Sequence, residues 1–288
     1  MLYIICNPTA GSGRAKTIAQ DILKALDTKN ISYHYQETVC PGNATFLAGN
    51  AVKEGCQTVL AIGGDGTAYE VACALNGTQT AMGIIPAGTG NDFVKALGYP
   101  SAPLQALDHI LSCPPRKTDT GLLDNKLFLN EIGTGFDVLA LVYAEKAKKY
   151  CRGLLPYLYG VLCAMVRNKP IRLTYRLDDQ EPVTLDALVC GVANGSMIGG
   201  GIPIAPKASV EDGLFDVVIV RYIPKWRLPP YLPKLLLGKI LSFPETIYCR
   251  AKSVQFSAPD MTVNIDGELK SIDQVSLRIS EGSLLIHR

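Results

Sequence analysis

The segment Thr58-Val-Leu-Ala-Ile-Gly-Gly-Asp-Gly-Thr67 sets the architecture of this chain. Its first five residues are apolar or β-branched, which is typical of a strand buried on both faces, and a glycine cluster ends the run. A helical pattern follows over residues 68–75. A strand that turns through glycines into a helix is the unit from which helix-covered parallel sheets are built.

Similar units flank this segment on both sides. The apolar patterns predict strands over 2–6, 32–36 and 82–86, and helices over 15–29, 45–54 and 92–97. The alternation predicts an α/β domain with a parallel sheet over residues 1–122. We also expect the C-terminal residues 280–288 to pack back onto this domain.

The pattern changes near Asp119. Most of the later strands leave too little room between them for a crossover helix, so antiparallel pairing is expected in a second domain over residues 123–288. The predicted strands are 126–132, 171–177, 183–193, 215–222, 246–257, 261–265, 275–279 and 284–287, with helical inserts over 137–167 and 224–241.

Composition excludes several classes of protein. The net charge of +2 argues against a nucleic-acid binder that relies on bulk charge. Nine scattered cysteines without a CxxC pair indicate reduced thiols in a cytoplasmic protein. No signal peptide is recognisable, and the longest apolar run, Leu154–Val166, is shorter than the ~20 residues that span a bilayer. We expect a cytoplasmic protein, at most peripheral at the inner membrane surface.

Three glycine-rich turns follow predicted strands of the first domain. Ligands of open parallel sheets bind at the carboxyl ends of strands, where glycines let the backbone approach a phosphate closely. Three such turns on one sheet edge predict a polyphosphate ligand. They are Asn7-Pro-Thr-Ala-Gly-Ser-Gly13, Gly63-Gly-Asp-Gly-Thr67 and Pro86-Ala-Gly-Thr-Gly-Asn-Asp92.

Two common nucleotide motifs are excluded. Residues 11–17 resemble a P-loop but lack the glycine before Lys16, and their spacing does not fit the dinucleotide-binding pattern.

These turns, together with Asp212-Gly-Leu-Phe-Asp216 and Asp266-Gly-Glu268, resemble the diacylglycerol kinase catalytic-domain family, which includes bacterial lipid kinases and is related to sphingosine and ceramide kinases. The ordered set of five motifs is more specific than GGDGT, which NAD kinases share. The resemblance covers nearly the whole chain. It implies an NAD kinase- or phosphofructokinase-like α/β domain, a β-sandwich-like domain, and an active site in the cleft between them.

The resemblance also implies roles for individual residues. Glu268 would be the base on a lipid hydroxyl, with Asp266 as the alternative, and Asp65, Asp92 and Asp119 would surround a catalytic Mg²⁺. A second, structural Mg²⁺ would bind Ser209, Asp212 and Leu214. The expected ATP contacts are Asn7, Pro8, Thr9, Ala10, Gly11, Thr38, Gly64, Asp65, Gly66, Thr67, Ala68, Tyr69, Glu70 and Thr89.

One position departs from the family pattern. Family members commonly carry a leucine–asparagine pair after GGDGT, whereas this chain has Ala68-Tyr69, so Tyr69 would replace a nucleotide contact by stacking or hydrogen bonding.

The leading hypothesis is therefore an ATP-dependent lipid kinase. Basic residues at 146, 148, 149 and 152 precede a leucine- and tyrosine-rich run, and a second basic stretch over 222–243 contains Trp226. Both would suit an anionic membrane surface. The alternatives are a soluble-substrate kinase of NAD kinase type and a catalytically silent nucleotide- or lipid-binding regulator. By resemblance alone, a homodimer is expected.

Overall fold

A computed structural model of the protein describes residues 1–147, 149–151 and 155–288. The chain divides into two compact units. The first comprises Met1–Asp119 together with Glu281–Arg288, and the second comprises Thr120–Ser280. The sequence prediction placed this boundary after residue 122.

The first unit alternates strands and helices. Its elements are β1 (Leu2–Cys6), α1 (Arg14–Thr28), β2 (Tyr33–Glu37), α2 (Asn43–Lys53), β3 (Thr58–Gly63), α3 (Asp65–Leu75), β4 (Ala81–Pro86), α4 (Asp92–Ala96), α5 (Pro103–Ser112) and β5 (Pro115–Leu123), which continues into the second unit.

The second unit consists mainly of strands. Its elements are β6 (Lys126–Phe128), β7 (Glu131–Gly135), α6 (Phe136–Ala147), α7 (Leu155–Arg167), β8 (Ile171–Leu177), β9 (Val183–Ala193), β10 (Met197–Ile198), β11 (Ile202–Pro203), β12 (Phe215–Arg221), α8 (Tyr231–Leu236), β13 (Thr246–Ala251), β14 (Ser253–Ser257), β15 (Thr262–Ile265), β16 (Glu268–Ser271) and β17 (Gln274–His287).

A parallel sheet forms the centre of the first unit, with strand order β2-β1-β3-β4 and the end of β17 beside β4. Strands β1 and β4 are buried at every residue, and β3 at all but its first, because helices cover the sheet. Helix α1 buries Ala15, Ala19, Ile22 and Leu26, which recur at helical spacing.

Antiparallel pairing organises the second unit around β9. One edge of β9 pairs with β12, and the other pairs with β8 over its first half and β7 over its second half. The β15–β16 hairpin extends the sheet from β7. Phe128 and Phe215 stack within a core cluster of the second unit. The predicted fold class, a parallel α/β domain plus a mainly antiparallel strand-rich domain, is confirmed.

Several element boundaries differ from the sequence prediction. The strand predicted over 246–257 is two strands, because the chain bends where the N–H groups of Lys252 and Ser253 donate to Asp178 Oδ1 at 2.9 and 2.8 Å. The strand predicted over 126–132 likewise divides into β6 and β7, whereas the two predicted near the C-terminus form the single strand β17. The helical insert over 137–167 contains two helices, α6 and α7.

Candidate active site

The three glycine-rich turns leave the same edge of the parallel sheet. Register pairs Cys6 with Ile62 and Gly63 with Pro86, so β1, β3 and β4 end side by side. Backbone hydrogen bonds continue this alignment into the turns: Asn7 N–H donates to Ile62 O at 3.0 Å and Ala87 N–H to Gly63 O at 2.8 Å. The structure therefore brings together the turns that the sequence predicted to meet.

Glycine allows these turns to touch one another. A methyl group built on Gly88 would lie 2.5 Å from Gly64 Cα, so the second and third turns pack backbone against backbone. Gly11 has a φ of 59°, and a methyl group there would collide with Ala87 O. The edge therefore presents main-chain atoms with little side-chain cover, the arrangement that a phosphate-binding site requires.

Two asparagines fix the shape of the first and third turns. Asn7 Oδ1 accepts hydrogen bonds from the N–H and hydroxyl of Thr9 at 3.1 and 2.8 Å, while its Nδ2 donates to Thr67 Oγ1 at 3.2 Å. Asn91, which has a left-handed φ of 52°, exchanges two 3.1 Å bonds with the backbone of Gly88. Both turns are thus held in one conformation by local side-chain bonds.

Two aspartates converge beside the third turn. A methyl group built on Gly90 would lie 2.9 Å from Asp65 Oδ2 and 3.5 Å from Asp92 Oδ2, so both carboxylates face the same glycine. Asp65 Oδ1 accepts the Phe93 N–H at 3.2 Å. Burial raises the pKa of Asp65, and backbone N–H groups, first that of Phe93, oppose the shift by stabilising the ionised form.

Asp119 has a different setting from this pair. It is buried on β5, and its Oδ1 accepts the Gly282 N–H at 2.7 Å. Within residues 1–147, 149–151 and 155–288, no three His, Cys, Asp or Glu side chains are grouped to hold a metal ion. Carboxylates are nevertheless the side chains that Mg²⁺ prefers, and it commonly binds through one or two of them plus substrate phosphates. Asp65 and Asp92 fit that requirement.

The other predicted ATP contacts occupy varied positions. Thr38 N–H donates to Cys6 O at 2.8 Å, which places Thr38 beside the end of β1. Glu70 accepts the N–H groups of Gly42 and Ala44 at 2.9 and 3.0 Å, so its carboxylate caps the start of α2. Ala68 is buried in the core, Tyr69 is half-buried, and Gly66 and Thr89 are exposed.

In the second unit, Glu268 stands immediately after a tight turn. Asp266 and Gly267 form the two-residue loop of the β15–β16 hairpin, with φ of 48° and 95°, and Glu268 pairs with Ile265. The Asp266 carboxylate accepts three backbone N–H groups, from Leu129 at 2.7 Å and from Asn130 and Glu131 at 2.9 Å each. The Glu268 side chain is exposed.

The turn predicted to hold a second Mg²⁺ contains one carboxylate that is ion-paired. Asp212 Oδ1 accepts the Leu214 N–H at 3.2 Å, and Oδ2 contacts the Arg250 guanidinium. Arg250 Nε also lies 3.6 Å from Oδ2 of the buried Asp216. Burial raises the pKa of Asp216, while the Tyr248 hydroxyl and Arg250 lower it. A cation at Ser209–Leu214 would share Asp212 with Arg250, and this site stays a prediction.

Comparison with known proteins assigns the chain to a family. The diacylglycerol kinase catalytic domain matches residues 1–123, and the YegS C-terminal NAD kinase beta sandwich-like domain matches residues 130–287. A diacylglycerol kinase of Staphylococcus epidermidis is 30% identical, covering 92% of this chain and 84% of that protein. The chain belongs to the diacylglycerol kinase catalytic-domain family. A Mycobacterium tuberculosis diacylglycerol kinase is 29% identical, covering 92% of this chain and 87% of that protein.

Solved structures of this kinase family and of NAD kinases share the fold. A Bacillus anthracis diacylglycerol kinase superposes with a TM-score of 0.77 at 21% identity, covering 99% of this chain and 96% of that one. An Archaeoglobus fulgidus NAD kinase in complex with ATP superposes with a TM-score of 0.54 at 16% identity, covering 100% and 94%. The predicted NAD kinase-like architecture is therefore confirmed.

Sequence reasoning about this kinase family member missed Arg14. Its guanidinium donates to Gly11 O at 3.3 Å and Gly88 O at 3.4 Å, so it ties the first turn to the third. In the sequence, Arg14 is marked only as a basic residue at the first position of the helix that follows a glycine turn. An exposed cation at that point adds positive charge to the sheet edge that carries the three glycine turns.

A buried acidic pair in the second unit was also missed. Glu131 and Asp137 both approach Gly133, where a methyl group would lie 2.5 Å from Glu131 Oε1 and would collide with Asp137 Oδ2. Burial raises the pKa of Asp137 to about 6, although the Val138 N–H and Asn264 oppose the shift. Burial, reinforced by these two carboxylates, also raises the pKa of the Cys190 thiol. No local motif marks this pair.

The second unit of this kinase exposes large apolar side chains on α7. Leu155, Leu158, Tyr159, Leu162 and Val166 are exposed, while Pro156, Gly160, Val161 and Ala164 are buried. Trp226 is 79% exposed in a helical turn that contacts α7. Of the predicted basic cluster, Lys146 and Lys149 are exposed, whereas Lys148, Arg152 and the start of the apolar run at Leu154 lie outside the described residues. None of the described helices is long and apolar enough to span a bilayer.

Proposed function

We propose that the protein is an ATP-dependent lipid kinase that transfers the γ-phosphate of ATP to a lipid hydroxyl. The observation that carries this proposal is the convergence of Asp65 and Asp92 beside three glycine turns at one sheet edge. Phosphoryl transfer depends mainly on positioning and charge neutralisation, and this edge supplies bare backbone, a nearby cation and two carboxylates.

ATP would lie along the three turns. Backbone N–H groups at the turns and at the start of α3 would donate to phosphate oxygens, and Arg14 would add positive charge. Asp65 and Asp92 would hold Mg²⁺, which would supply neutralisation of phosphate charge. The protein's own contribution is to hold these two carboxylates in place: Asp65 accepts the Phe93 N–H, and Asp92 Oδ1 lies 3.8 Å from Lys95 Nζ.

Glu268 would act as the general base. Its carboxylate would accept the proton of the lipid hydroxyl while that oxygen attacks the γ-phosphorus. The bond from the γ-phosphorus to the oxygen bridging it to the β-phosphorus breaks, and ADP leaves with that electron pair. The products are a lipid phosphate monoester, ADP and a protonated Glu268, which then returns its proton to water.

The acceptor that we propose is diacylglycerol or a related lipid, because the relatives at 29–30% identity are named diacylglycerol kinases. The exposed apolar side chains of α7 and Trp226, with Lys146 and Lys149 on α6 and just beyond it, would hold the enzyme at an anionic membrane surface.

Transfer of radiolabelled γ-phosphate to a panel of lipids in mixed micelles tests this function. With Mg²⁺ present, we expect label in the organic phase for diacylglycerol or one related lipid. Asp65→Asn should abolish transfer by weakening the magnesium site. Glu268→Gln should keep ATP binding and lower kcat by about 100-fold or more, the scale of general-base catalysis.

The other outcomes identify the alternatives. Label only in a water-soluble product would indicate a small-molecule kinase of NAD kinase type. Tight ATP binding without transfer to any lipid would indicate a silent regulator. Wild-type turnover in Asp65→Asn or Glu268→Gln would remove that residue from the mechanism.

A further inference from the structure

The β16 strand, which begins with Glu268, has no buried side chains to hold it in place. All four residues of Glu268–Ser271 are exposed, and within the described chain β16 pairs only with β15. Burial therefore contributes almost nothing to its position. The location of Glu268 is therefore set by the pairing of β16 with β15 and by the turn that joins the two strands.

That turn is anchored through Asp266. Its carboxylate accepts the N–H groups of Leu129, Asn130 and Glu131 within 2.9 Å, and its own N–H donates to Glu131 O at 3.0 Å. Hydrogen bonds to an ionised acceptor are shorter and stronger than neutral ones. Four bonds thus join one turn residue to the start of β7.

The backbone of the turn is also restricted. Asp266 and Gly267 both have positive φ, which is the two-residue hairpin loop that Asp-Gly and Asn-Gly favour. The Gly267 N–H donates to Asn264 Oδ1 at 2.9 Å. These bonds hold the turn in one conformation, and Glu268 is the residue that follows it.

We infer that Asp266 is a positioning residue that holds Glu268 in place and is not itself the base. This inference rests on the proposed function, in which Glu268 accepts the lipid proton. Three of the lone-pair sites on the Asp266 carboxylate are committed to backbone N–H groups, so proton uptake there would break bonds that hold the hairpin. Glu268, exposed and adjacent, is left to carry out the chemistry.

Asp266→Asn is the informative substitution, because Asn keeps the turn conformation while removing the charge and one acceptor oxygen. We expect kcat for lipid phosphorylation to fall about 10- to 100-fold, the cost of a displaced catalytic group, with KM for ATP changed less than about twofold. The acidic limb of the pH–rate profile should remain in Asp266→Asn and disappear in Glu268→Gln. Asp273→Asn, the same charge change at an exposed residue between β16 and β17, should behave as wild type.

Three results would overturn the inference. Wild-type kcat in Asp266→Asn would show that the anchor is dispensable. Loss of the acidic limb in Asp266→Asn would make Asp266 the base. If Asp266→Asn does not fold, Gly267→Ala is the second variant. It strains the turn, which has a positive φ at this residue, without a steric clash, since among the described residues beyond its two chain neighbours no atom lies within 4 Å of the added methyl group. Unchanged kcat in Gly267→Ala would count equally against the inference.

A second readout separates this inference from the proposed function. Hydrogen exchange of the peptide containing residues 129–131 should be faster in Asp266→Asn than in wild type or Asp273→Asn, whether or not any lipid is phosphorylated. Unchanged exchange would refute the anchor even in an inactive protein. Absence of transfer by the wild type would refute the function alone.

Discussion

Glu70 illustrates how one side chain can fit two roles. The family resemblance places it among the ATP contacts, yet its two carboxylate oxygens accept the Gly42 and Ala44 N–H groups at the start of α2. A helix N-terminus has unsatisfied N–H donors and a partial positive charge, and a carboxylate satisfies both. Thr45 also donates its hydroxyl to Glu70 O at 2.8 Å, which holds α2 against α3.

Replacing Glu70 with Ala should lower stability by about 1 kcal/mol, the usual value of a helix cap, and lower the melting temperature by about 2–4 °C. Thermal unfolding of Glu70→Ala beside Glu54→Ala measures this, because Glu54 is exposed at the other end of α2, where a negative charge is unfavourable. If Glu70 caps the helix, Glu70→Ala should have a lower melting temperature, Glu54→Ala should not, and KM for ATP should change little in Glu70→Ala. An unchanged melting temperature with a raised KM would instead assign Glu70 to the nucleotide.

Helix α7 is apolar on two faces. One face packs on α6, where Gly160 lies against Ala140 O, and the other exposes leucines, a tyrosine and a valine. Exposed apolar side chains flanked by lysines are typical of helices that lie on a lipid surface.

Leu162→Glu should therefore weaken binding to anionic phospholipid vesicles by about 10-fold or more and lower phosphorylation of vesicle-embedded lipid, while sparing a short-chain, water-dispersed acceptor. Leu104→Glu on α5 is a matched control, since Leu104 and Leu162 are 47% and 48% exposed. Vesicle co-sedimentation measures the difference. Equal retention of both variants would rule out this face as the contact with the membrane.

Sequence patterns predicted best those elements whose surroundings are the same along their whole length. Strands β1 and β3 read as buried runs because both faces are covered along their length. Strand β17 appeared as two strands because its first half pairs with β14 and its last residues with β4, and Ser280-Glu281-Gly282 interrupts its apolar pattern. The site shows the same limit: the glycine turns were recognisable locally, whereas the Asp266 anchor joins residues 135–137 positions apart.

At the scale of the whole molecule, the first unit is built from two separate stretches of chain. The chain leaves it at Asp119 and returns at Glu281, and the Asp119 carboxylate accepts the Gly282 N–H at 2.7 Å where the two stretches meet. Leu284 and Ile286 are fully buried, and Leu285 and Ile286 pair with β4. The His287 ring makes two further bonds, to Cys113 O at 2.8 Å and Thr58 Oγ1 at 3.0 Å.

Removal of residues 281–288 should consequently destabilise the first unit. Burial of two large aliphatic side chains is worth about 3–6 kcal/mol, a large part of the 5–15 kcal/mol that stabilises a typical domain. We expect loss of ATP binding and rapid hydrogen exchange in β3 and β4, while β9 and β12 of the second unit stay protected. Removal of Arg288 alone, whose guanidinium bonds to Thr118 Oγ1 and Lys117 O at 3.1 Å each, should leave ATP binding intact. If β4 stays protected from exchange after the longer deletion, residues 1–119 fold without the returning strand. The Asp119–Gly282 hydrogen bond would then not be needed for the first unit to fold.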